Sequence, residues 1–161
     1  SQSIQPKTIL EIGTYTGYSA LCMAEGLQND GVLCTIDINK ELAPFAQKYF
    51  NKSSYKNLIK MMVGNALEII PELNFKWDLV FIDADKENYS NYFDSVIEKV
   101  NKGGMIIADN VLWSGKVTRP TFRNDIETKA LKTFNEKVNS DSRVSNVLMP
   151  VRDGMMIMIK K

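Results

Sequence analysis

Histidine is absent from this chain of 161 residues. That excludes Ser-His-Asp and Cys-His nucleophile systems and histidine-based metal sites. Acid–base work falls to Asp, Glu, Lys, Tyr or Cys. Cysteine is scarce: Cys22 and Cys34 stand alone in "SALCMA" and "VLCTID", with no CxxC partner. Zinc and disulfide chemistry are disfavoured, and two buried free thiols in a reducing, cytoplasmic setting are expected. Excess charge is lacking too. Twenty Lys and Arg against nineteen Asp and Glu leave a formal +1, too little for a long-range field toward nucleic acid or membrane, although a local basic patch stays open. No apolar run reaches the ~18 residues of a membrane span, and the polar start "SQSIQPKT" does not read as a signal peptide. With no repeats, low-complexity tracts or linkers, one domain over 1–161 is expected. A chain this long buries roughly 68–70% of its unfolded surface, enough for a core without staples.

What is present is an alternation of short apolar runs and helical spacings. "KTILEIG" (7–13), "GVLCTIDI" (31–38), "NLIKMMVG" (57–64), "WDLVFIDA" (77–84) and "GMIIADN" (104–110) read as strands. Between them, Ala20, Met23, Ala24 and Leu27, then "KELAPFAQKYF" with Pro44 early, then "ALEIIPEL", read as helices. Phe93, Val96, Ile97 and Val100 mark a further helix that "NKGG" stops. A loop with Gly115 and Pro120 precedes a helix carrying Ile126, Ala130, Phe134 and Val138 at four-residue steps. The end, "VSNVLMPVRDGMMIMIKK", reads as a hairpin about "RDG". Strict β-α alternation predicts a doubly wound, mostly parallel α/β sheet, with the hairpin adding antiparallel pairing at one edge. Four of the eight methionines fall in the last thirteen residues; gap-filling in strands explains them better than a cofactor box.

In such a sheet ligands bind beyond the carboxyl ends of the strands, where strand order reverses. The first turn, "EIGTYTGYS", lacks GxGxxG: counting from Gly13, Tyr15 and Tyr18 stand where glycines would be. Close approach to a diphosphate is not provided for, so an NAD oxidoreductase fits poorly. The turn still exposes backbone N–H groups. Glu11 is a charge in an apolar strand where packing favours Val or Ile. Asp37 ends the second strand 24 residues after Gly13, placed to accept from a ribose diol or to cap a helix. An acid, a glycine turn and a second acid describe a nucleoside pocket without a diphosphate grip, which suits S-adenosylmethionine.

"ILEIGTYTGYSA", "TIDIN", "VFIDADKENY" and "IIADNVLWSGKV", in this order, resemble the cation-dependent O-methyltransferase family, which includes caffeoyl-CoA and catechol O-methyltransferases. The resemblance implies the Rossmann-like fold of class I S-adenosylmethionine-dependent methyltransferases, seven-stranded with an antiparallel last strand. It implies that Glu11, the backbone of Gly13 and Thr14, and Ser19 hold the methionine part of the cofactor. Asp37 would hold the ribose, and Asn65 and Ala66 would lie against the adenine. It gives Asp83, Asp109 and Asn110 to a divalent cation, the substrate proton to Lys86, and Trp113 and Ser114 to the acceptor. Plant members commonly carry Asn at the place of Ser114, which bears on whether a coenzyme A ester is accepted. Family members carry helices before the first strand that this chain does not contain, and they are usually homodimers.

The residues offer their own argument for a cation. Neighbouring parallel strands lie ~4.8 Å apart, so Asp83 and Asp109, ending strands four and five, are placed to converge. Two carboxylates and an amide are hard ligands suited to Mg²⁺, Ca²⁺ or Mn²⁺. Helix or turn capping is the alternative for Asp83, Asp85 and Asp109. A cation there would lower a substrate hydroxyl's pKa, and Lys86, three residues on, is placed as base. Asp85 reads as a supporting or helix-start residue. The expected activity is methylation of a hydroxyl on a catechol-like small molecule. Alternatives are methylation of a hydroxylated uridine in tRNA, for which Lys116, Arg119 and Arg123 around the acceptor loop leave room, and a non-catalytic adenosine-binding protein.

Overall fold

The first strand, β1 (Thr8–Ile12), is apolar but for Thr8 and Glu11 and is buried from Ile9 onward, because it lies in the middle of the sheet. The computed structural model describes residues 1–161. After β1 the chain runs through α1 (Tyr18–Ala24), β2 (Val32–Asp37), α2 (Ala43–Lys52), β3 (Ile59–Val63), α3 (Ala66–Glu72) and β4 (Trp77–Ile82). It continues through α4 (Tyr89–Ile97), β5 (Val100–Asp109), α5 (Ile126–Ser140), β6 (Val144–Met149) and β7 (Met155–Lys160). The sheet order is β3-β2-β1-β4-β5-β7-β6. β1 to β5 pair in parallel; β7 is antiparallel to both β5 and β6. Winding proceeds one way from β1 to β3 and the other way from β4, so the reversal lies between β1 and β4. That is where such sheets open a crevice.

Period-two alternation sends successive side chains to opposite faces. Ile9, Leu33, Ile59 and Leu79 meet Ala20 and Ala24 of α1 and Ala46 and Phe50 of α2 on one face. Leu10, Ile12, Cys34, Ile36, Val80, Ile82 and Ile106 meet α3, α4 and α5 on the other. Met156 and Met158 are buried there and fill core space, whereas Met149 is exposed. Lys99 staples α3 to the body: its Nζ donates to the carbonyls of Ile70, Pro71 and Leu73.

Four expectations change. The helix ends at Ile97, and Val100 belongs to β5, buried opposite Trp77. Val100 satisfies helical spacing and a strand's first apolar position alike. Between Val100 and Met105, β5 spends five residues where β4 spends two, and the excess is taken up around Gly103 and Gly104. In α5 the buried line is Thr128, Leu131, Phe134 and Val138; Ile126 is exposed and Ala130 only partly covered. Four-residue steps advance past 3.6 residues per turn, so such a series rotates off the core face. Cys22 is exposed while Cys34 is buried, because Ala20 and Ala24 take α1's inward face. Finally, β4 stops at Ile82, which leaves Asp83 as the first residue beyond the strand.

Candidate active site

Gly13 follows β1 directly with φ 102, and a Cβ there would fall 2.0 Å from the Asp83 carbonyl oxygen. Glycine thus lets the turn after β1 press against the end of β4. Gly17, at φ 82, faces the Phe50 ring, which a Cβ would meet at 2.6 Å. Asp37 fixes the same turn from β2: its carboxylate accepts the N–H of Tyr15 at 2.6 Å and of Asn39 at 2.8 Å. It does not cap α2, which begins only at Ala43.

These contacts frame a cavity of about 620 Å³ at the reversal point. Gly13, Thr14, Ser19, Asp37, Asn65 and Ala66, residues assigned to a cofactor by resemblance, all line it, and so does Asp83. Asn65 also caps α3, accepting the Leu67 N–H at 3.0 Å. Exposed Tyr15, Tyr18 and Ile38 form an apolar rim that the sequence reading had not assigned.

Glu11 lies behind this wall rather than in it, with no exposed surface. Its Oε1 accepts from the lining residue Ser19 and its Oε2 from Thr35, both at 2.5 Å. Thr35 in turn contacts the Thr14 hydroxyl. Burial raises the Glu11 carboxyl to about 7, against the opposing pull of the Ser19 and Thr35 hydroxyls, with Asp83 and Asp37 adding to the rise. Thr35, a polar residue inside "VLCTID", is the unassigned member that holds Glu11 in place; its interruption of an apolar run was the available signal.

The second cluster gathers at the ends of β4 and β5. Ile82 pairs with Ala108, so Asp83 and Asp109 follow side by side. Burial raises the Asp109 carboxyl; the Asn110 N–H opposes this and the Asp83 charge adds to it. Lys86 is almost buried, and its Nζ lies 3.1 Å from Asp83 Oδ1 and 2.6 Å from the Tyr89 hydroxyl. That hydroxyl donates toward the Asp109 carbonyl at 3.0 Å, with the Ile82 carbonyl at 3.3 Å. Tyr89 therefore ties both strand ends to the amine. It closes the motif "DADKENY" and had received no role. Asp85 opens the short helical turn at Lys86–Asn88 and accepts from Asn88 and Tyr92, both at 2.5 Å.

A further cavity of about 650 Å³ is lined by Asp109, Asn110 and Ser114 with the turn before β7. Trp113 does not line it; its ring lies 5.8 Å from each of the Lys86 and Lys116 ammonium groups. Asn110, Trp113 and Ser114 all have positive φ, and the Ser114 N–H is held by Asp153 Oδ1 at 2.5 Å. No three Asp, Glu, Cys or His residues converge as a ready cage. The candidate ligands are two carboxylates and one amide. That donor set fits a hard dication, since paired negative charge at neighbouring strand ends favours one.

The O-methyltransferase family model matches residues 2–161. A probable caffeoyl-CoA O-methyltransferase 2 from Dictyostelium discoideum is 31% identical, over 99% of this chain and 71% of that protein. The caffeoyl-CoA O-methyltransferase of Stellaria longipes is 32% identical, over 96% and 68%. Among solved structures, the O-methyltransferase TomG of Streptomyces achromogenes, in complex with S-adenosylmethionine, superposes with TM-score 0.94 at 30% identity. It covers 99% of this chain and 75% of its own. An O-methyltransferase from Bacillus cereus in complex with S-adenosylhomocysteine gives 0.94 at 29%, over 99% and 76%.

Proposed function

This chain belongs to the O-methyltransferase family, and from that premise we propose that it moves the methyl group of S-adenosylmethionine to a hydroxyl of a catechol-like small molecule, aided by Mg²⁺, Ca²⁺ or Mn²⁺. The observation that carries this reading is the junction of the two clusters. Asp83 lines the cofactor cavity and also pairs with Lys86, whose partner Tyr89 reaches the Asp109 end.

When bound, the cofactor supplies an electrophilic methyl on a sulfonium. Gly13 and Thr14 would present backbone to its methionine part, and Glu11 keeps the Ser19 hydroxyl oriented. Asp37 would hold the ribose with the lone pairs that the Tyr15 and Asn39 N–H groups leave free. Asn65 and Ala66, which line the cavity, would border the adenine. A divalent cation, if held by Asp83, Asp109 and Asn110, would lower the pKa of an acceptor hydroxyl. Lys86 Nζ is placed to take that hydroxyl's proton, and the oxygen's lone pair would form the new bond to the methyl as the methyl–sulfur bond breaks and leaves its electron pair on sulfur. The Tyr89 hydroxyl holds the amine in place meanwhile. Positioning then supplies much of the rate.

A methyl-transfer screen of catechols with and without Mg²⁺ tests this. Turnover that requires both cofactor and cation supports it; full activity in excess chelator overturns it. Binding NAD more tightly than S-adenosylmethionine would also sink it. Binding of S-adenosylmethionine with no transfer to any acceptor would favour the non-catalytic adenosine-binding alternative. Exposed Lys116, Arg119 and Arg123 favour one second reading, a hydroxylated uridine in tRNA, so tRNA belongs in the same screen. A homodimer is proposed as well, supported by exposed Val147, Leu148 and Met149 on edge strand β6. Sedimentation as a monomer across micromolar concentrations would refute it. No helix is long and apolar enough to cross a membrane.

A further inference from the structure

Arg152 stands in the turn between β6 and β7 with φ 54. That left-handed conformation costs a residue with a side chain about 1 kcal/mol or more, and glycine would take it freely. The turn thus carries an arginine where backbone economy favours none. None of the chain's ion pairs includes Arg152. Arg143, by contrast, is locked between Asp141 and Glu98.

Arg152 is exposed, and it lines the cavity that also holds Asp109, Asn110 and Ser114. It is the one cation among the lining residues. The two carboxylates there have partners of their own: Asp109 accepts the Asn110 N–H at 2.7 Å, and Asp153 accepts the Ser114 N–H at 2.5 Å. Val151 and Met155 add apolar wall for a ring. A guanidinium free of acidic partners, across a cavity from a hydroxyl-binding end, is arranged for a bidentate oxyanion.

We propose that Arg152 selects acceptors bearing a carboxylate, so that the substrate is a hydroxylated aromatic acid whose hydroxyls face Asp109 and Asn110. This rests on the methyl-transfer reading above for the orientation of the ring. Arg152 contributes recognition and takes no part in proton transfer.

The test compares the parent with Arg152→Gly and Arg152→Lys on three probes: 3,4-dihydroxybenzoate, neutral 4-methylcatechol, and caffeoyl-CoA, whose anions are phosphates. KM and kcat are measured with Mg²⁺ and S-adenosylmethionine, and Kd by calorimetry with S-adenosylhomocysteine in place of the methyl donor. Arg152→Gly relieves the left-handed backbone, so its melting temperature holds or rises and lost affinity is not lost fold. Expected is a rise of about five- to tenfold in KM and Kd for 3,4-dihydroxybenzoate, with kcat and the neutral probe little changed. Arg152→Lys should recover part of the loss, and 0.5 M salt should narrow the gap as screening shortens to roughly 4 Å. An equal change on acid and neutral probes overturns the proposal. So does no change on the acid, including the case where caffeoyl-CoA alone weakens. Should the parent turn over none of the probes yet bind the acid through Arg152, methyl transfer to these acceptors falls and carboxylate recognition by Arg152 stands. Should binding show no preference for the acid, this one falls.

Discussion

The turn after β1 and the loop after β5 solve one problem, bringing backbone to a strand end, by opposite means. After β1 the positive φ values fall mainly on Gly13 and Gly17, with Tyr15 between them held by Asp37. After β5 they fall on Asn110, Trp113, Ser114 and Gly115; asparagine and glycine take this region readily, whereas Trp113 and Ser114 do not. Non-glycine residues in this region cost of order 1–3 kcal/mol each and persist where their surroundings hold them. Here the hold is the turn before β7. Val111 and Leu112 donate to the Gly154 and Asp153 carbonyls, and Ser114 to the Asp153 carboxylate. The turn after β1 is therefore preformed by glycine, whereas the loop after β5 is stapled by the turn before β7.

The largest expected effects separate the two halves. Asp109→Ala should abolish methyl transfer and its dependence on added Mg²⁺, while S-adenosylhomocysteine affinity by calorimetry stays within about twofold, since Asp109 does not line the cofactor cavity. Asp37→Ala should do the reverse, removing most cofactor affinity, because it lines that cavity and fixes the Tyr15 turn. Cofactor binding that collapses in Asp109→Ala would break the division. Next in size, Lys86→Ala should lose ~10²–10⁴-fold in kcat, the usual worth of a positioned base, with cofactor affinity kept. Parental turnover in that variant would remove Lys86 from the mechanism.

The two halves also differ in how far the sequence disclosed them. The expected cofactor residues fall around one cavity because strand ends and βα turns are local features, fixed by an apolar run and the glycine that stops it. Glu11 was visible as a misplaced charge. That it stands behind the wall, sharing hydrogen bonds with Ser19 and Thr35, depends on β1–β2 register, which pairs it with Thr35. The pairing of Asp83 with Asp109 was legible from matched strand ends. Tyr89 and Arg152 were not. Tyr89 matters through carbonyls of two strands, and Arg152 through a φ angle and a neighbour 43 residues upstream in sequence, Asp109. Val100 shows the limit of periodicity, since one apolar residue serves a helix's last turn or a strand's first position equally.

A middle-sized effect probes Glu11. Its carboxyl is raised to about 7 in the fold from 4.5, so the folded chain keeps a proton that the unfolded chain has released across that window. Stability from this group is present below 4.5 and is lost as pH rises through about 7. Glu11→Gln removes the titration and keeps groups that can bond Ser19 and Thr35. Relative to the parent it should gain stability from pH 4.5 to 7, by up to about 3 kcal/mol, and stay level above. Denaturant unfolding at pH 5 and pH 8 reads this, and a difference that does not grow with pH removes the buried proton.

The smallest effect tests the strain itself. Ser114 has φ 52 and offers its backbone N–H, not its hydroxyl, to Asp153. Ser114→Gly keeps that hydrogen bond and removes the left-handed penalty of about 1–2 kcal/mol. The greater freedom of glycine in the unfolded chain takes back about 0.5–1 kcal/mol. The net should be a stabilisation below about 1 kcal/mol, seen as a small rise in melting temperature. Gly17→Ala is the counterpart on the cofactor side. Its Cβ would meet the Phe50 ring at 2.6 Å and its φ of 82 disfavours alanine, so it should destabilise by about 1–3 kcal/mol. Opposite signs for the two substitutions would support glycine on one side and stapled strain on the other. A destabilised Ser114→Gly would mean the loop after β5 is relaxed as it stands, and the contrast between the two turns would disappear.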